Sequence, residues 1–205
     1  MLTVRGLVLV LALVATGSPQ SMEDAAPNLS KDPPTADQIA IYRTFLAYFA
    51  VGSTPLHLIN KTAALPLPDP SESEDDDPEI DPCLKGLTLV NQKEAATIVH
   101  MLDRSLAIKG RVVLVDPDSQ EGQIKANDPS KTMEQRKTSE EAAKRASATG
   151  LMALSEVLFD RRHRAALMIA SFSCGHTCGF VAVFRFKKTR HQWKMFKEPC
   201  AGGVS

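Results

Sequence analysis

Apolar positions along the chain follow three rhythms. Residues 6–15 are apolar without a break. Further on, the spacing becomes helical: Ile39, Tyr42, Phe45, Leu46 and Phe49 recur behind Thr35-Ala-Asp-Gln38, a capping box, and Gly52 stops the pattern. This predicts a helix over 35–51 with an aromatic stripe that packs into a core. Ala95, Ile98, Val99, Leu102 and Leu106 predict a second amphipathic helix over 91–107, with His100 and Met101 as ordinary face residues. A more polar third helix is predicted over 138–149, stopped by Gly150.

From residue 151 the period shortens to two. Runs at 154–159, 165–173, 179–187 and 192–197 read as strands separated by short polar connections, the arrangement of an antiparallel meander. In the third run Phe180, Ala182, Phe184 and Phe186 share one face, which should meet the helices. Arg111-Val-Val-Leu-Val115 reads as one more strand closed by a turn at Asp116-Pro117, with polar turns following over 118–137. The segment 56–65 fits a short strand or an apolar loop. The expected fold is therefore α+β: an antiparallel four-stranded C-terminal meander with the N-terminal and middle helices packed on one face.

The opening run changes the picture of where the chain works. Arg5, the apolar stretch 6–15 and the small residues Thr16-Gly17-Ser18 have the form of a signal peptide over 1–17, too short to span a bilayer, for which about 20 residues are needed. Residues 18–34, rich in Pro, Ser and Asp, read as a flexible mature N-terminus ahead of a single domain over 35–205. Export places Cys83, Cys174, Cys178 and Cys200 in an oxidising compartment. Of the three pairings four cysteines allow, Cys174 with Cys178 and Cys83 with Cys200 is favoured, because the first two lie four residues apart.

Charge is balanced overall, 24 Lys+Arg against 24 Asp+Glu, which argues against a globally basic nucleic-acid binder. The balance hides a polarity. Residues 22–82 hold three basic and twelve acidic groups, eight of the latter in an acidic loop at 69–81, whereas residues 151–205 hold nine basic and three acidic. In a meander the first and third connections lie at one end of the sheet. Arg161, Arg162, His163 and Arg164 should therefore gather with Lys187, Lys188, Arg190 and His191 into a basic cluster opposite the Cys hairpin. Two readings of it stay open: solvated turns partly neutralised by the acidic loop at 69–81, or a candidate anion-binding site for an anionic envelope component or an acidic protein. No nucleic acid, metal or cofactor is expected.

Gly150-Leu-Met-Ala-Leu-Ser-Glu-Val-Leu-Phe-Asp160, Ser171-Phe-Ser-Cys-Gly-His-Thr-Cys-Gly179, Trp193-Lys194 and Cys200-Ala-Gly-Gly-Val-Ser205 resemble a family of small exported bacterial proteins of unknown function with a Cys-x-x-x-Cys β-hairpin near the C-terminus. The resemblance implies compartment and class, and no activity. Cys174-Gly-His-Thr-Cys178 is one residue longer than a thioredoxin-type redox motif and is flanked by strands, which fits a structural disulfide. Ser171 or Ser173 with His176 is the enzyme alternative, a hydrolase or thiol-disulfide protein acting at this hairpin, although no Gly-x-Ser-x-Gly turn surrounds either serine.

Overall fold

The structure, a computed structural model, describes residues 26–50, 54–65, 81–106, 110–128, 139–175 and 178–204. The segment read as a signal peptide, most of the acidic loop, and His176 lie outside the described residues.

Helix α1 (Ala36–Phe49) starts as its sequence predicts. The Thr35 hydroxyl accepts from the Gln38 backbone N–H, and the Gln38 side chain accepts in return from the Thr35 backbone. Its apolar stripe, Ile41, Tyr42, Phe45 and Leu46, is fully buried. Each such side chain contributes about 1.5–3 kcal/mol of burial free energy. The stripe meets the sheet through β8 (Gly179–Thr189): Phe45 sits edge-on to Phe184 with centroids 5.0 Å apart, and Phe49 stacks on Phe180 at 5.8 Å.

Strand β7 (Ala165–Ser173) pairs antiparallel with β8 along its whole length. Strand β9 (Gln192–Met195) and strand β10 (Ala201–Val204) both pair with the far edge of β8, end to end. On the other side of β7 lie β5 (Leu151–Leu154) and β6 (Leu158–Phe159), also end to end. The expected single run over 154–159 is broken at Ser155 and Glu156: the Ile169 N–H donates to the Ser155 hydroxyl, the Ser155 carbonyl accepts from Tyr42, and the Glu156 N–H donates to Ala63. Beyond β5 the sheet continues with β2 (Leu56–Ile59) and β4 (Val112–Val115), β2 running parallel to both neighbours. The four-stranded meander expected from sequence is thus replaced by an eight-stranded mixed sheet, ordered β10-β8-β7-β5-β2-β4 with β6 beside β7 and β9 beside β8. Parallel strands need long crossovers, which strand-by-strand reading cannot supply.

Both faces of the sheet are covered. The α1 core takes Met168, Ala170, Ala182, Phe184 and Phe186, while the alternate residues Leu167 and Val183 join Leu158, Leu65, Cys83 and Ala95 in a second, smaller core. The middle helix therefore packs opposite α1, against the expectation of helices on one face, because the period-two runs are apolar on both sides. Short α2 (Asp81–Leu84) brings Cys83 into this second core, where it is bonded to Cys200 with Cα atoms 5.4 Å apart. Cys174 and Cys178 form the other disulfide, Cα atoms 5.1 Å apart. Both pairings are those favoured from sequence.

The predicted helix over 91–107 is cut short. Helix α3 (Gln92–Thr97) gives way to β3 (Ile98–Val99), which pairs in parallel with β1 (Asn28–Leu29) inside the stretch read as a flexible N-terminus. Three successive β-branched residues, Thr97-Ile-Val99, favour this extended exit. Asp116-Pro117 starts a helix rather than a simple turn. The Asp116 side chain caps α4 (Pro117–Ala126) by accepting from the Asp118 N–H, with proline in the first turn, where its missing N–H costs nothing. Helix α5 (Ser139–Thr149) follows the predicted third helix.

Candidate functional site

The connection between β6 and β7 is built on Asp160. Its carboxylate accepts backbone N–H groups from Arg162, Arg164 and Ala165, the last two at 2.6 Å. Burial pushes the Asp160 carboxyl up, but these hydrogen bonds and the nearby His163 outweigh it and hold the group below the usual carboxylate range. With the only acidic side chain of the turn occupied in this way, Arg161, Arg162, His163 and Arg164 are all left exposed. His163 takes a positive φ of 48° and stacks on Phe159, ring centroids 5.0 Å apart.

The Lys188 N–H donates to the Arg164 carbonyl at 2.8 Å, and Lys187 lies opposite Ala165, so both basic connections occupy one end of the sheet. Lys187, Arg190 and His191 are exposed there. Lys188 differs from the others: its ammonium lies 2.8 Å from both oxygens of Asp37 and 5.3 Å from the centre of the Trp193 ring. The Trp193 indole N–H donates to the same carboxylate at 3.0 Å. Burial raises Asp37, yet the bonds from Lys188 and Trp193 carry it below its ordinary range. The two connections that carry the eight basic residues singled out by sequence thus lie at one end of the sheet, and Lys188 is already neutralised. Among the described residues, none of Arg161, Arg162, Arg164, Lys187 and Arg190 forms an ion pair.

At the opposite end, the Cys174 N–H donates to the Cys178 carbonyl at 2.8 Å, closing the hairpin between β7 and β8. Cys174 is buried, and strands rather than a helix N-terminus flank the pair. Ser171 and Ser173 lie on β7 opposite Val181 and Gly179.

A polar cluster missed in the sequence sits where β5 breaks. Glu156, 2% exposed, accepts through Oε1 from the Thr62 hydroxyl, from the His100 backbone N–H at 3.1 Å and from His100 Nδ1 at 2.9 Å. Its Oε2 accepts from Gln38 Nε2 at 2.9 Å. The Tyr42 hydroxyl donates to the neighbouring Ser155 carbonyl, and burial, followed by the Glu156 charge, pushes this phenol well above its ordinary range. An open pocket of about 540 Å³ reaches this cluster; Asp37, Gln38, Glu94, Glu156 and His163 are among its walls. The signal was present in the sequence as a lone carboxylate inside the apolar stretch 151–159. Since Glu156 receives four donors from the protein, its first role is to tie α1 and the segments after β2 and β3 to the sheet.

Among the described residues no group of His, Cys, Asp and Glu side chains is arranged to hold a metal ion, and no helix is long and apolar enough to cross a membrane. Comparisons with protein-family models, with curated proteins and with solved structures find no match to this chain.

Proposed function

We propose that this chain is an exported, non-catalytic binding module whose basic end takes up an anionic component of the cell envelope or an acidic protein surface. The observation that carries the reading is the gathering of Arg161, Arg162, Arg164, Lys187 and Arg190 at one end of the sheet, exposed and without ion-pair partners among the described residues. Such a concentration of one sign of charge attracts anions over a distance set by the ionic strength. Export is supported by the N-terminal sequence pattern and by two disulfides, which persist outside reducing compartments.

Retention on arrays of anionic lipids and acidic glycans tests it, at low and high salt, for wild type and for Arg161→Glu/Arg162→Glu/Arg190→Glu. Wild type should be retained at low salt, lose retention at high salt, and exceed the variant. No retention of wild type at low salt, or retention indifferent to salt, overturns the reading.

A further inference from the structure

The large sheet ends on one side in β4, whose only strand neighbour among the described residues is β2. The Arg111 and Val115 carbonyls accept from the Leu56 and Asn60 N–H groups at 2.8 and 3.0 Å, so the odd-numbered residues of this segment serve β2. Backbone groups alternate between the two edges of a strand, so the N–H and C=O groups of Val112 and Leu114 face away from the sheet. Among the described residues no backbone hydrogen bond reaches them.

Natural sheets guard such an edge with charge, proline or a bulge. The far side of this sheet does so at β9, where Lys194 is exposed. Strand β4 does not. Val112-Val-Leu-Val115 carries no charge and no proline, its pairing with β2 is regular over all four residues, and Val113 is 41% exposed. Charge sits only beyond its two ends, and with opposite sign. Arg111 precedes the strand, Asp116 and Asp118 follow it, and all three are exposed and without an ion pair among the described residues.

This polarity selects the occupant of the edge. A second β4 laid antiparallel across a two-fold axis brings the Arg111 end of each copy to the Asp116 and Asp118 end of the other, whereas a parallel copy sets like charge beside like. One antiparallel register pairs Val112 of each copy with Leu114 of the other and so satisfies all the outward groups of both strands. Val113 then meets Val113 of the second copy on the axis, a non-hydrogen-bonded position where Cα atoms approach to about 4.5 Å and β-branched side chains pack well. Arg111 falls opposite Val115 of the second copy, one residue from Asp116.

We propose that β4 is the contact surface of a homodimer, two copies of this chain joined antiparallel through Val112 and Leu114 into one continuous sheet. Four residues a side are few against the roughly 20–30 of a stable interface, so the dimer dissociates on dilution. The proposal stands apart from the anion-binding reading, since none of these residues belongs to the basic end.

The test uses the full, disulfide-bonded protein. Sedimentation equilibrium from about 1 µM to about 1 mM follows its mass, and amide hydrogen exchange follows each residue over the same range. The mass should rise from monomer towards dimer. Protection of the Val112 and Leu114 amides should rise with it, while Val113 and Val115, already paired with β2, stay protected throughout. Val113→Lys leaves the buried side chains of β4 in place and should abolish the dimer. Arg111→Glu should weaken association about tenfold, and Arg111→Glu/Asp118→Lys should restore it. Monomer at every concentration overturns the proposal, as does a dimer that Val113→Lys leaves intact. Val112 and Leu114 amides already protected in the dilute monomer show an edge covered by the chain itself and overturn it equally. A double variant that associates no better than Arg111→Glu overturns the antiparallel arrangement.

Discussion

Glu156 Oε1 lies 2.9 Å from His100 Nδ1 in an interior where both residues are less than a tenth exposed. Removing the carboxylate strands the side-chain donors of His100 and Gln38, while the His100 backbone N–H keeps the Thr62 hydroxyl at 2.7 Å, so Glu156→Ala should cost about 3–5 kcal/mol, the range for breaking a buried pair from one side. Glu156→Gln keeps an acceptor for part of the network and should cost less. Urea denaturation of the three proteins checks the order.

Asp37 joins the first turn of α1 to β8 and β9 through Lys188 and Trp193. In Asp37→Ala the indole N–H of Trp193, which is 5% exposed, loses its acceptor, a change worth about 1–3 kcal/mol for a buried donor. Trp193 is the only tryptophan in the chain, so its fluorescence reports this site directly. The emission spectrum should shift in Asp37→Ala and stay close to wild type in Asp103→Ala, whose carboxylate serves the Ser105 N–H instead.

Acid should weaken the fold through Asp37 and Asp160. Both carboxyls are held below their ordinary value of 3.8 in the folded chain, so the unfolded chain takes up protons first as the pH drops. Their contribution is complete above pH 3.8 and is lost as the pH falls through the folded values. Stability measured on stepwise acidification should decline in that window, and Asp160→Asn should flatten the decline while lowering stability at neutral pH.

The two disulfides differ in the chain they close. Residue separations of 4 and 117 correspond, by loop entropy, to about 2 kcal/mol for the hairpin bridge and about 5 kcal/mol for the long one. Cys83→Ala/Cys200→Ala should accordingly lower the melting temperature more than Cys174→Ala/Cys178→Ala. Calorimetry of the two double variants decides it.

Local chemistry was legible in the chain, and long-range pairing was not. Thr35 and Gln38 announced the start of α1, the strand-like run from Ala165 to Ser173 matched β7 residue for residue, and the spacing of Cys174 and Cys178 anticipated their bond. The helix expected over 91–107 failed because Ile98 and Val99 fit a helical stripe as well as a strand, and their partners Asn28 and Leu29 lie some 70 residues away. Leu56–Ile59 was ambiguous for the same reason: a four-residue apolar run becomes a central strand only once Val112–Val115 and Leu151–Leu154 flank it. Arg161 to Arg164 could be placed beside Lys187 and Lys188 because successive reversals of the chain suffice for that. The acceptor role of Glu156 could not, since its donors come from residues 38, 62 and 100.

Strand β10 shields the edge of β8 from Phe180 to Val183, and its fit is close: Gly202 has φ 143°, and a Cβ there would press on the Val181 carbonyl and on Ala182. The residue that leads into this strand, Cys200, is covalently tied to Cys83. Reduction therefore loosens the one segment that occupies those backbone donors and acceptors, and an open ladder edge recruits strands from other molecules. Light scattering with and without reductant should therefore show larger self-associated species appearing on reduction, and Cys83→Ala/Cys200→Ala should show them without reductant.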